Sequence, residues 1–132
     1  MKSLSSLVVA ALFGFAVQAE ATVLECNITS TASGGGYVTE LYVFEFDSDA
    51  QKARVIDGWI DEIYGEPIAS KMSESTAKKL VFSWTVQMTN GSGQQTKMQY
   101  RAAIIKATKA ITVRATPGGG YDNSFEARGT CK

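Results

Sequence analysis

Four carboxylates, Asp57, Asp61, Glu62 and Glu66, crowd around Trp59 and Tyr64. Paired carboxylates beside aromatic side chains are the working parts of glycosidases, in which one acts as acid and the other as base or nucleophile. Such a pair needs a cleft to hold a substrate, and acidic side chains next to a surface turn are ordinarily solvated, so this group reads better as a contact surface than as a catalytic one. The chain has no histidine. That removes Ser-His and Cys-His nucleophiles, histidine general bases and histidine-bearing zinc sites. No Gly-x-Ser-x-Gly is present, and the glycine runs at 34–36 and 118–120 do not open a helix, which makes them loops rather than phosphate cradles. Asp47-Ser48-Asp49 lacks the length and closing glutamate of a calcium loop. A non-enzymatic protein with no metal and no cofactor is the expectation.

Two cysteines remain, Cys26 and Cys131, near opposite ends of the chain and without the C-x-x-C spacing of a redox pair. One intramolecular pairing is open to them, and a structural disulfide is expected if the chain reaches an oxidising compartment. The N-terminus supplies the route. Met1-Lys2, an apolar stretch from Leu4 to Val17 and small residues at Ala19 and Ala21 form the three-part pattern of a secretory signal peptide. The apolar run is shorter than the ~20 residues that span a bilayer, and no basic stop-transfer cluster follows it. Residues 1–19 are therefore expected to be a cleaved leader and residues 20–132 one β-domain, periplasmic or secreted, with no stable membrane insertion. The short basic segment of the leader points to bacterial export, which makes the sequons at Asn27 and Asn90 incidental.

Elements that alternate with period two have to position these residues. Leu80, Phe82, Trp84, Val86 and Met88 alternate with polar positions, Asn90 to Gly93 forms a turn, and Met98, Tyr100, Ala102 and Ile104 continue the alternation. This is a long hairpin. Further strands are expected from Leu24 to Ile28, Tyr37 to Phe46, Gln51 to Asp57, Ile68 to Met72, Ile111 to Thr116 and Phe125 to Cys131. Trp59 to Tyr64 is read as strand or short turn, although Trp59/Ile63 and Ile60/Tyr64 also suit one helical turn. The fold class is thus all-β, a small antiparallel eight-stranded meander closed as a barrel, with a two-sheet sandwich as the alternative. A disulfide between the first and last strands makes them neighbours, which favours the barrel, and Gly129 fits a sharply coiled point beside that seam. An interior lined by Phe82, Trp84, Tyr100 and Phe125 is either filled or holds one small apolar ligand.

Charge is segregated along the chain. Residues 20–66 hold ten acidic side chains against Lys52 and Arg54, whereas residues 67–114 hold eight basic ones against Glu74. In a meander barrel sequence neighbours are wall neighbours, so one flank is acidic and the other basic. A formal net charge of zero argues against nucleic acid. The partner is expected to be a protein or a small ligand, met by Asp57, Trp59, Asp61, Glu62 and Tyr64.

Ser33-Gly34-Gly35-Gly36-Tyr37, followed by Tyr42-Val43-Phe44, resembles the Ser-Gly-x-x-Tyr loop and following strand of bacterial periplasmic c-type lysozyme inhibitors. The resemblance covers residues 33–44. It implies a small exported barrel whose loop enters the lysozyme cleft, with Ser33 and Tyr37 as the inhibitory contacts. In this chain the loop follows the first strand rather than lying late in the domain, and Asp47 and Asp49 stand where the family has a basic residue. Three functional expectations result: a binding or interaction protein, a lysozyme-type inhibitor, and an apolar-ligand carrier.

Overall fold

Alternation of apolar and polar residues is carried furthest in β5 (Lys79–Thr89) and β6 (Gln95–Ile105), which pair antiparallel without a break from Lys79 opposite Ile105 to Thr89 opposite Gln95. The computed structural model describes residues 21–31, 36–89, 92–118 and 124–132. The expected leader lies outside them, as does Ser33. Before the hairpin come β1 (Thr22–Thr31), β2 (Leu41–Asp47), β3 (Lys52–Ile56) and β4 (Ile68–Thr76); after it come β7 (Ala110–Pro117) and β8 (Phe125–Cys131). Each strand pairs with its sequence neighbour, and β8 pairs back onto β1, giving a closed eight-stranded antiparallel barrel. Closure rules out the sandwich. It also leaves no free sheet edge along the paired lengths.

At the seam Cys26 stands directly opposite Cys131 and is bonded to it. Glu25 and Lys132 exchange backbone hydrogen bonds of 3.0 and 2.8 Å, so the ladder continues past the disulfide. Among the described residues no helix is long and apolar enough to cross a membrane.

The interior is packed with rings. Phe44 stacks on Phe82 with centroids 4.6 Å apart, Trp84 lies parallel to Tyr100 at 5.4 Å, and Phe44 meets the edge of Trp84 at 5.6 Å. Tyr42 and Phe46 extend the set toward the two ends. Offset and edge-on contacts of this kind add to the burial of large apolar surfaces.

Two segments depart from the expected strands. Trp59 to Tyr64 is neither strand nor isolated turn but the body of an α-helix, α1 (Gly58–Tyr64). Asp57, extended at φ −144°, caps it by accepting from the Ile60 N–H at 2.8 Å, and Gly65 ends it in the left-handed region at φ 75°, donating to the Asp61 carbonyl at 2.9 Å. A capping aspartate and a terminal glycine outweigh the apolar run between them. Similarly, the strand expected to begin at Tyr37 begins at Leu41. Residues 37–39 instead bend over the barrel end, where the Tyr37 carbonyl accepts from the Tyr100 hydroxyl at 2.7 Å and the Thr39 N–H donates to the Tyr42 hydroxyl at 3.1 Å.

Candidate functional site

Because α1 crosses the same barrel end as residues 36–40, the two contact regions expected from sequence meet. The Trp59 indole N–H donates to the Gly36 carbonyl at 3.0 Å, pinning the helix to the base of the glycine loop. Trp59 and Ile63, one helical turn apart, share a face. With Tyr37, Glu62 and Met88 they line an open concavity of about 690 Å³. Tyr37 is 39 % exposed and its ring rests 5.0 Å from that of Phe125, which holds the tyrosine as a wall of the depression.

The remaining candidates separate. Asp57 is only 6 % exposed and belongs to the scaffold: one carboxylate oxygen takes the Ile60 N–H and the other accepts from the Thr39 hydroxyl at 2.8 Å. Tyr64 is exposed, but its hydroxyl accepts from the Gln87 N–H at 3.1 Å and anchors the end of α1 to β5. Asp61 points elsewhere, to the rim of a second, apolar-floored depression beside Leu41, Val43 and Ile56. Adjacent helical positions do not face one another, so Asp61 and Glu62 serve different surfaces. Ile63 and Met88 were absent from the expected site. The Trp59/Ile63 spacing carried the signal for the first, whereas Met88 read simply as the last inward position of a strand. Among the described residues no group of three or more histidine, cysteine, aspartate or glutamate side chains is placed to hold a metal ion.

Burial dominates the electrostatics beneath the site. It raises the Asp57 carboxyl above the ordinary carboxylate value against the opposing pull of its hydrogen bonds from Ile60 and Thr39. It also pushes the Tyr42 hydroxyl up to about 12 and raises Tyr100 further. A carboxyl whose pKa is higher folded than unfolded binds protons more readily in the folded state. Asp57 therefore contributes a loss of stability as pH rises from the ordinary carboxylate value through its raised one. We expect Asp57→Asn, which keeps an N-cap acceptor, to remove that component when urea stabilities of the two proteins are compared across this window. Asp57→Ala removes the cap and is expected to cost about 1 to 2 kcal/mol at neutral pH. Parallel pH profiles for Asp57→Asn and the parent would sink the assignment.

Compared with protein-family models, with curated proteins and with solved structures, the chain matches none of them.

Proposed function

We propose that this chain is an exported, non-catalytic binding domain that takes a protein partner at the barrel end covered by α1. The observation that carries this reading is the convergence of Tyr37, Trp59, Ile63 and Glu62 on one concavity. Aromatic and aliphatic walls beside a carboxylate suit a protruding lysine or arginine, whose apolar stem packs on the rings while its cation meets Glu62. No basic residue lies in the last turn of α1, and Glu66 follows it. A cationic protein is thus the favoured partner. The disulfide suits an oxidising compartment, in keeping with the expected leader. Charged side chains along the outer wall, among them Glu45, Arg54, Arg101 and Arg114, argue against a lipid-facing barrel.

The inhibitor reading stays beside this one for a specific reason: Tyr37, which ends the Ser-Gly-x-x-Tyr pattern, is a wall of the concavity. Against the carrier reading, Phe44 packs on Phe82 and Trp84 on Tyr100 inside the barrel. A catalytic carboxylate pair is disfavoured because Asp57 caps α1 and Asp61 and Glu62 diverge.

Immobilised oxidised domain probed with lysozyme and with other basic proteins tests the proposal. Capture is expected to weaken about 30-fold with Trp59→Ala, and to weaken with Glu62→Gln, which leaves the Trp59–Gly36 bond in place. Lysozyme retained by the parent and lost on the double change Ser33→Ala/Tyr37→Ala would specify inhibition. Capture untouched by Trp59→Ala and Glu62→Gln, or no capture of any basic protein, would overturn the site.

A further inference from the structure

The opposite wall holds an aligned row of cations. Lys71 lies opposite Ser83, Ser83 opposite Arg101, and Arg101 opposite Arg114, so one register line crosses β4, β5, β6 and β7 with all four side chains outward. Arg101 and Arg114 are direct cross-strand neighbours on strands ~4.8 Å apart, an arrangement that is unfavourable for like charges unless an anion lies between them. Glu126 answers only part of this. It pairs with Arg114 at 2.8 Å and also with Arg128 at 3.3 Å, whereas among the described residues neither Arg101 nor Lys71 has an ion-pair partner. The next register line places Gln99 opposite Thr85 and Thr116. Together the two lines border an open depression of about 590 Å³, within the range of small-molecule sites.

We propose that this groove binds the phosphate group of a small soluble phosphorylated compound. Two guanidinium groups on adjacent strands, Arg114 shared with Glu126, a lysine one strand beyond Ser83, and the hydroxyl and amide donors of the neighbouring register line offer more donors than the two oxygens of a carboxylate can accept. A tetrahedral phosphate accepts from several sides, and guanidinium groups match its oxygens in pairs. Ser83, Thr85, Gln99 and Thr116 give the border hydrogen-bonding groups, and Ala69 is its one exposed apolar side chain, which fits a dissolved ligand better than a lipid surface. From β1 to β3, with the turns between them, five acidic side chains (Glu25, Glu40, Glu45, Asp47 and Asp49) stand against Lys52 and Arg54, an excess that would steer an anion toward this side.

Calorimetric titration of the oxidised protein with inorganic pyrophosphate tests the inference. Binding is expected, weakening as salt is added. Arg101→Gln should weaken it by about tenfold or more, Lys71→Gln should weaken it as well, and Lys52→Gln on β3 should leave it unchanged. A parallel arm measures sedimentation with phosphatidylglycerol vesicles. No heat with pyrophosphate, equal losses in Arg101→Gln and Lys52→Gln, or binding to vesicles alone would each overturn the proposal.

Discussion

Removing the disulfide, by reduction or by the double substitution Cys26→Ala/Cys131→Ala, is expected to lower the free energy of unfolding by about 4 kcal/mol. The bonded residues are 105 positions apart, so the crosslink restrains almost all of the described chain when it is unfolded. Alanine is the better replacement because both cysteines are buried and a serine would bury a hydroxyl without an assured partner. Urea unfolding of oxidised, reduced and double-alanine forms would give the difference directly. For a domain whose total stability is of the order of 5 to 15 kcal/mol, a loss of this size is a large fraction. A loss below about 1 kcal/mol would show that the β1–β8 ladder, with the Glu25–Lys132 bonds and the 2.8 Å bond from Cys131 N–H to the Lys109 carbonyl, holds the seam unaided.

The seam was legible in the sequence because two cysteines admit one pairing, and strands that bear a disulfide must be neighbours. The β5–β6 hairpin was legible for a local reason: period two persists through Leu80, Phe82, Trp84, Val86 and Met88, and the turn residues follow at once. What escaped depends on contacts between distant residues. Residues 37–39 have the composition of a strand, yet the Tyr37 carbonyl and the Thr39 N–H and hydroxyl are taken by Tyr100, Tyr42 and Asp57. In α1 only Ile60 is buried, so a window of alternating apolar residues gave no inward face to a strand or to a helix; the cap at Asp57 and the stop at Gly65 were the informative positions.

Site residues followed the same division. Tyr37 and Trp59 were each singled out, but as parts of different proposals, since nothing local links a glycine loop with an aromatic turn more than twenty positions away. The bond between Trp59 and Gly36 makes that link once α1 lies across the barrel end. Asp57 matches the contact residues in type and in sequence neighbours, and its burial together with its bonds to Ile60 and Thr39 separates it from them. The basic flank was visible as composition. Register turned part of it into a line of three cations, a statement about strand pairing that charge counting cannot make.

Gly129→Ala is expected to destabilise the barrel by about 3 kcal/mol or more, with the loss concentrated at the seam. A Cβ at position 129 would overlap the carbonyl oxygen of Asn27 and come within 2.8 Å of the Asn27 carbonyl carbon and the Ile28 Cα. All three are backbone atoms, so no rotamer change relieves the contact. Relief requires β1 to move away from β8 where Gly129 pairs with Ile28, next to the register shift between Ile28 and Ser30. That movement would strip the ladder beside the disulfide and pull on Cys131, two residues further along β8. Gly58→Ala serves as the matched comparison, because a Cβ there meets only the Thr39 methyl at an ordinary 3.6 Å and lies at the first position of α1. It should be neutral or stabilising by up to about 1 kcal/mol. Urea midpoints of the two variants separate the cost of adding a methyl group from the cost of separating two strands. Hydrogen exchange at Cys131 and Lys132, whose N–H groups bond to Lys109 and Glu25, should accelerate in Gly129→Ala alone. If Gly129→Ala instead unfolds at the parental midpoint, the close approach of β1 to β8 is not what holds the barrel shut, and the disulfide carries the seam.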